Sequence, residues 1–258
     1  MTSKVNPTAY HIFIGYDSRE AHAYDVCAFS LKHHDLSNNV HIHKIEHREM
    51  RRLNLFNRNW LINSEGQYID LVDGRPFSTE FSHTRFLVPH LARYGGISGW
   101  VLFCDCDFLF LESIDNLFKL TDDKYAAMCV QFNFQPEKNA TKMDGVKQLP
   151  YRRKLWSSLV LYNISHPSNQ VLTSDKVNKE TGAYLHAFEW LQDNEIGRLP
   201  EKWNFIPGIS KATKKEHPSA IHFSQGGPWF AAHKNTEFAN EWNRMYSESW
   251  MTYKDRYM

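Results

Sequence analysis

No stretch of this chain approaches the roughly 18 to 20 consecutive apolar residues of a membrane-spanning helix, and its opening, Met1 to Pro7, is short and polar. The expectation is a soluble, cytoplasmic protein. Charge of either sign is not in excess: 30 Lys and Arg face 29 Asp and Glu, which disfavours a protein built mainly to grip nucleic-acid phosphates, although local basic patches stay open. Cysteine is scarce. Cys27, Cys104, Cys106 and Cys129 lie in apolar or strand-like stretches without the paired spacing of a zinc site, so they read as buried, reduced thiols. Apolar material is ample: with 42% hydrophobic and 14% aromatic residues, 258 residues suffice to bury roughly 70 to 75% of the unfolded surface, and one domain over 1–258 is the default.

The feature that stands out is a pair of acids behind the apolar run Trp100 to Cys104. Side chains alternate along a strand, so Asp105 and Asp107 are expected side by side where the buried segment ends. At about 4 Å and an effective dielectric of about 20, two such carboxylates repel by roughly 4 kcal/mol, and a cation relieves this. Hard divalent ions such as Mn²⁺ or Mg²⁺ take oxygen ligands and share their shell with phosphates, which points to a metal holding a diphosphate. A strand end with two solvated acids is the plain alternative.

Tyr10 to Tyr16 reads as a buried strand that stops at Asp17-Ser18, before an amphipathic helix from Arg19 to His34. Asp17 is therefore either the helix cap or a ligand contact at a strand's carboxyl end. Val40 to Ile45 reads as a second strand whose His41 and His43, with no third ligand nearby in sequence, are expected to be solvated. Asp70 and Asp73 fall in a polar stretch and are expected at the surface. Helical spacing returns through Phe81, Arg85, Val88, Leu91 and Ala92, where Arg85 needs an anionic partner, either a phosphate or an internal carboxylate.

A helix from Ser113 to Leu120 and a strand from Tyr125 to Val130 continue the alternating α/β layout. Residues 131–154, with Lys138, Lys142, Lys147, Arg152, Arg153 and Lys154, read as a basic flap on an acceptor side or as a solvated loop. Leu155 to Asn163 is strand-like. Ala183 to Leu191 is helical, with His186 and Glu189 on one side; Glu189 is a third cleft acid if that side faces inward and a surface glutamate if it does not. His222 ends a short apolar run and is followed by Gly226 and Gly227, whose backbone N–H groups could meet an anion. Phe238, Trp242, Tyr246 and Trp250 recur every four residues, as in an amphipathic helix over 235–258 that packs on the domain or meets a partner or membrane surface.

In this order, the strand ending at Asp17, the helix with Arg85, Asp105-Cys106-Asp107, the Leu199 to Asn204 segment and the His222 to Trp229 stretch resemble a GT-A glycosyltransferase of family 8, the glycogenin and bacterial galactosyltransferase group. The resemblance spans roughly residues 10 to 230. It implies an α/β, Rossmann-like domain with a central mixed, mostly parallel sheet flanked by helices. It further implies that Asp105, Asp107 and His222 ligate Mn²⁺ or Mg²⁺, and that Tyr16, Asp17, Arg85, Asp105, Gly226 and Gly227 meet a nucleotide-sugar donor, a UDP-sugar first. Glu189 and Asp193 are the candidate catalytic acids. The expected reaction moves a hexose or pentose with retention of configuration to a glycan, a lipid-linked sugar, a protein or a modified nucleobase, nucleic acid otherwise being disfavoured.

The sequence departs from the family pattern at four places. Glu20 stands where the family has a tyrosine, Trp156-Ser157-Ser158 replaces its small sugar-site motif, and its Asp-Gln-Asp signature has no clean match near His186 and Glu189. The lysine of its histidine motif is absent before Pro228, with Lys211, Lys214 or Lys215 as candidate substitutes. A metal-dependent phosphodiester or nucleotide-sugar hydrolase and a non-catalytic sugar-nucleotide-binding module stay open as alternatives.

Overall fold

In the computed structural model, which describes residues 9–35, 38–133, 152–210 and 217–257, the run that begins at Trp100 lies inside a six-stranded sheet. In chain order the elements are β1 (Tyr10–Gly15), α1 (Ala21–His33), β2 (Val40–Ile45), α2 (His47–Arg52), β3 (Trp60–Ile62), β4 (Tyr68–Asp70) and β5 (Pro76–Phe77). Next come α3 (Val88–Tyr94), β6 (Trp100–Cys104), β7 (Phe108–Phe110), α4 (Asp115–Phe118), β8 (Ala127–Cys129) and β9 (Leu159–Asn163). The chain closes with α5 (Ser174–Lys179), α6 (Gly182–His186), β10 (Ile196–Arg198), β11 (Ala220–His222) and α7 (Ala239–Tyr257).

The main sheet has the order β10-β8-β9-β6-β1-β2. Strand β1 is parallel to β2 and β6, and β8 is parallel to β10, whereas β9 is antiparallel to both of its neighbours. Reversal of β9 alone makes the sheet mixed and mostly parallel, as the family resemblance implies. Strand β6 is paired on both edges, and Val101, Leu102, Phe103 and Cys104 are fully buried, which explains a continuous apolar run in place of alternation. Because β1 and β6 run the same way, Asp17 and Asp105 emerge at the same carboxyl edge, where ligands of open α/β sheets bind.

A two-stranded sheet stands beside this edge. Strands β7 and β11 are antiparallel, with Phe108 opposite His222. Helix α7 and α1 close over it: Trp242 and Met245 pack with Val26, Leu109, Ile221 and Phe223. Trp242 stacks on Tyr246, leaving Trp250 as the half-exposed member of the aromatic run, so the C-terminal helix packs on the fold.

Three expectations shift. The helix carrying Arg85 begins later, because Pro89 occupies its first turn; Arg85 itself sits on a 3-10 turn, Thr84–Leu87. The helix expected over 183–191 stops at His186, since Phe188 adopts a left-handed backbone (φ 52°) that buries its ring against Phe86 and Trp190. Strand β9 starts at Leu159 rather than Leu155, which is itself left-handed (φ 70°). Lys138, Lys142, Lys147, Lys211, Lys214 and Lys215 lie outside the described residues, while Arg153 and Lys154 of the expected solvated flap are buried.

Asp70 is a correction. It was expected at the surface, yet it is buried against Arg58, whose Nε donates to Asp70 Oδ1 at 3.2 Å and whose Nη1 donates to Val177 O at 2.9 Å. A buried arginine needs an anion, and this one ties the β3-β4-β5 sheet to α5. Asp73 is half-buried and accepts from the Gly182 N–H at 2.8 Å. Replacing Arg58 with Ala strands the Asp70 charge and is expected to lower unfolding free energy by about 3 to 5 kcal/mol in urea titrations, whereas Arg58→Met with Asp70→Leu recovers most of the loss.

Candidate active site

The turn between β6 and β7 carries both aspartates and is pinned from two directions. The Asp105 N–H donates to Ser158 O at 2.9 Å, and Asp107 O accepts from the Phe223 N–H at 3.0 Å. Cys106, between them, points the other way, into the core, with its Sγ 3.7 Å from Glu20 Oε2. Burial, followed by the surrounding carboxylates of Glu20, Asp107, Asp105 and Asp17, pushes its thiol well above the usual range. Such a thiol is a packing group, not a nucleophile.

His222 arrives on β11. Its N–H donates to Phe205 O at 2.8 Å, and its ring lies flat on Phe108, with centroids 4.4 Å apart and planes 12° apart. Its Nδ1 is 2.9 Å from Asn204 Oδ1. Asn204 Nδ2 donates to Ser158 Oγ at 2.9 Å, and that hydroxyl donates to Leu155 O at 2.8 Å, so the network assigns Oδ1 as acceptor and the imidazole proton to Nδ1. Nε2 stands 3.4 Å from Asp107 Oδ1. One ligand atom each from Asp105, Asp107 and His222 lie within 4.8 Å of one another. Two carboxylate oxygens and one imidazole nitrogen suit Mn²⁺ better than Mg²⁺, which prefers oxygen throughout.

Arg85 has the internal carboxylate among its partners. Its Nη1 donates to Asp105 Oδ1 at 2.7 Å and to Ser157 O at 3.0 Å, and the guanidinium lies 5.0 Å and 5.3 Å from the Phe81 and Phe103 ring centroids. One cation thus offsets one of the two acids. With His222 in the neutral form that a metal ligand takes, the four side chains carry one net negative charge, which a divalent ion would turn into one positive charge facing a phosphate.

Asp17 is buried and accepts four hydrogen bonds, from Arg19 N, Nε and Nη2 and from the Glu80 N–H. Its observed role is the cap of the turn Ser18–Glu20. Glu80 fixes the same loop: burial raises its pKa, but the His47 ring at 3.6 Å and hydrogen bonds from Ser18 outweigh that and hold it down to about 2. Tyr16 follows β1 and lies under Lys44, whose Nζ is 3.5 Å from the ring centroid. The Gly226 N–H donates to Phe223 O at 2.8 Å and is spent inside the loop. A Cβ at Gly226 would lie 2.6 Å from the His233 ring and one at Gly227 would lie 2.0 Å from the Trp229 ring, so close ring packing accounts for both glycines. Beside His222 is a cavity of about 260 Å³ lined also by Gly208, Ser224, Gly226, His233 and Glu237.

Glu189 and Asp193 are not brought to the aspartates by any contact among the described residues. The early end of α6 leaves both exposed, Glu189 3.3 Å from Arg152 Nη1 and Asp193 2.8 Å from Arg152 Nη2. Hydrogen bonding from Arg153 holds the Asp193 carboxyl below its ordinary range. The side chain that does join the network is His186, whose Nδ1 is 2.8 Å from Ser157 Oγ, on the residue whose carbonyl holds Arg85. Asn204 and His186 are the functional candidates that residue type alone missed. Asn204 closes the Leu199 to Asn204 segment, and that position is its one sequence signal.

No family model matches the chain. Protein CDI of Arabidopsis thaliana is 45% identical over 240 residues, which cover 90% of this chain and 84% of the relative. The chain belongs to the same family as Protein CDI. Among solved structures it is similar to the bifunctional glycosyltransferase WbbM (TM-score 0.61, 13% identity, 94% of this chain) and to the glycosyltransferase GlyE of Streptococcus pneumoniae TIGR4 (0.60, 12%, 96%). The galactosyltransferase LgtC, solved with donor and acceptor sugar analogues, gives 0.56 at 13% identity over 92% of this chain and 95% of its own. The chain spans 50% of WbbM and 64% of GlyE. At these identities the likeness shows the fold, which is GT-A.

The hydrogen bond from Nδ1 makes Asn204 the residue that orients His222. Asn204→Leu is therefore expected to weaken Mn²⁺ binding about 10- to 100-fold in calorimetric titration, while far-ultraviolet circular dichroism stays that of the parent protein.

Proposed function

We propose that this protein is a metal-dependent glycosyltransferase that moves a hexose or pentose from a nucleotide sugar, a UDP-sugar first, to an acceptor hydroxyl with retention of configuration, in the manner of family 8. The observation that carries the reading is the convergence of Asp105, Asp107 and an Asn204-oriented His222 at the carboxyl edge of a GT-A sheet, beside a cavity. The donor set favours Mn²⁺. When bound, such an ion supplies Lewis-acid charge against a departing diphosphate.

The chain's own groups then have assigned tasks. Asp105 and Asp107 give oxygen ligands, and Arg85 fixes which face of Asp105 is presented. The cavity from Gly208 to Glu237 accepts the diphosphate end of the donor, with the edge near Tyr16 left for its base. His186, tied through Ser157 to Arg85, is placed on the sugar side. Glu189 and Asp193, paired with arginines at the surface, belong to the acceptor rim in this reading. Four buried free thiols support a reducing compartment, such as the cytoplasm, as the place of action. Among the described residues, no helix is long and apolar enough to cross a membrane.

Mn²⁺ with the cognate UDP-sugar at about 100 times its Kd is expected to stabilise the protein by about 2.7 kcal/mol, a rise in Tm of roughly 5 to 10 °C. Asp107→Ala should abolish both this shift and sugar transfer. A shift that persists in this variant would refute the reading, and sugar release at full rate without acceptor would point to a hydrolase.

A further inference from the structure

The histidines of β2 are not alone. His11 of β1 lies opposite His41 in the parallel register, and His43 is two residues further along β2, so all three share one face of the sheet at its edge. His11 Nδ1 and His43 Nε2 are 3.0 Å apart. The His11 ring stacks at 5.2 Å between centroids on both His41 and His43, and Phe13 backs His43 at 4.5 Å.

Two imidazole nitrogens bound to one ion at about 2.0 to 2.1 Å stand about 2.9 Å apart in a square-planar site and about 3.4 Å apart in a tetrahedral one. The His11–His43 pair is at hydrogen-bond distance, and its separation falls inside that interval, so an ion would take the place of the shared proton. His41 is exposed on the edge strand, on the same face, with its ring stacked on that of His11. Burial, followed by the neighbouring imidazoles, lowers the pKa of His11 and of His43, which favours the neutral ring that ligates. A His-x-His strand pair completed by a histidine of the adjacent strand gives three nitrogens and leaves a fourth position for water.

We infer that His11, His41 and His43 form a second metal site, for a borderline divalent ion such as Zn²⁺ or Cu²⁺, on the edge of the sheet. It is separate from the aspartate centre: Ile12 lies opposite Leu102, so His11 stands about four residues, roughly 13 Å, back along the sheet from Asp105. The donor chemistry also differs, three nitrogens here against two oxygens and one nitrogen there. An ion at this place would clamp the edge strand β2 to β1.

The test adds one equivalent of Cu²⁺ to the full-length protein and to Asp107→Ala and reads nitrogen hyperfine structure by electron paramagnetic resonance, with Zn²⁺ titration in parallel. The expected result is a signal with at least two imidazole nitrogens in both proteins, lost in His11→Gln/His43→Gln together with a drop of about tenfold or more in Zn²⁺ affinity. Should the double variant not fold, His41→Gln, at an exposed position, is expected to remove one nitrogen from the signal. A signal unchanged by these histidine variants, or one that disappears in Asp107→Ala, overturns the proposal.

Discussion

Two carboxylates held side by side at the end of a buried strand repel each other, and most of what surrounds Asp105 and Asp107 answers that repulsion. Arg85 offsets Asp105 from within the protein, at the cost of burying a guanidinium between two phenylalanine rings. His222 turns Nε2 toward Asp107, because Asn204 holds its other nitrogen. The balance stops at one negative charge. Adding a second fixed cation would make the site self-sufficient, whereas the present set keeps an affinity for a divalent ion and, with that ion, for a phosphate.

The fold supplies the stiffness this balance needs. A doubly paired β6 fixes Asp105 from one side, and the β7-β11 pair sets Asp107, just ahead of β7, beside His222 at the end of β11, so their approach is set by backbone registry rather than by flexible side chains. Helix α7 acts at a distance. By burying Trp242 and Met245 against Ile221 and Phe223, it holds β11 down and thereby sets where the His222 ring can stand.

How much of this was legible in the sequence depended on the range of the signal. The aspartate pair, the terminal histidine and the sheet class were readable because each rests on a local pattern: period-two alternation, an apolar run, a strand followed by a capped helix. Arg85 was readable as needing an anion, but not as needing Asp105, since 20 residues of chain separate them. Asp70 was misread because a polar neighbourhood hides a partner 12 residues away. The helix expected over 183–191 failed differently, and of the two readings of Glu189 the structure shows the surface one. Helical spacing placed this glutamate beside His186, but the left-handed Phe188 ends that periodicity before it reaches Glu189.

That last failure exposes a constraint within the site. Arg153, Leu155 and Phe188 all adopt left-handed backbone, which costs an L-residue about 1 to 2 kcal/mol each and persists only where surroundings over-determine it. They adjoin one another: Arg153 donates to the carbonyls of Ala187 and Phe188, and Leu155 O receives the Ser158 hydroxyl. Between these fixed points runs the short segment whose carbonyls receive the Asp105 N–H and Arg85 and whose Ser157 hydroxyl meets His186. A relaxed strand through Leu155 would carry those groups onto alternate faces of the sheet. Strain in this segment is therefore what lets one stretch of chain hold the aspartate turn, its arginine and the neighbouring histidine together.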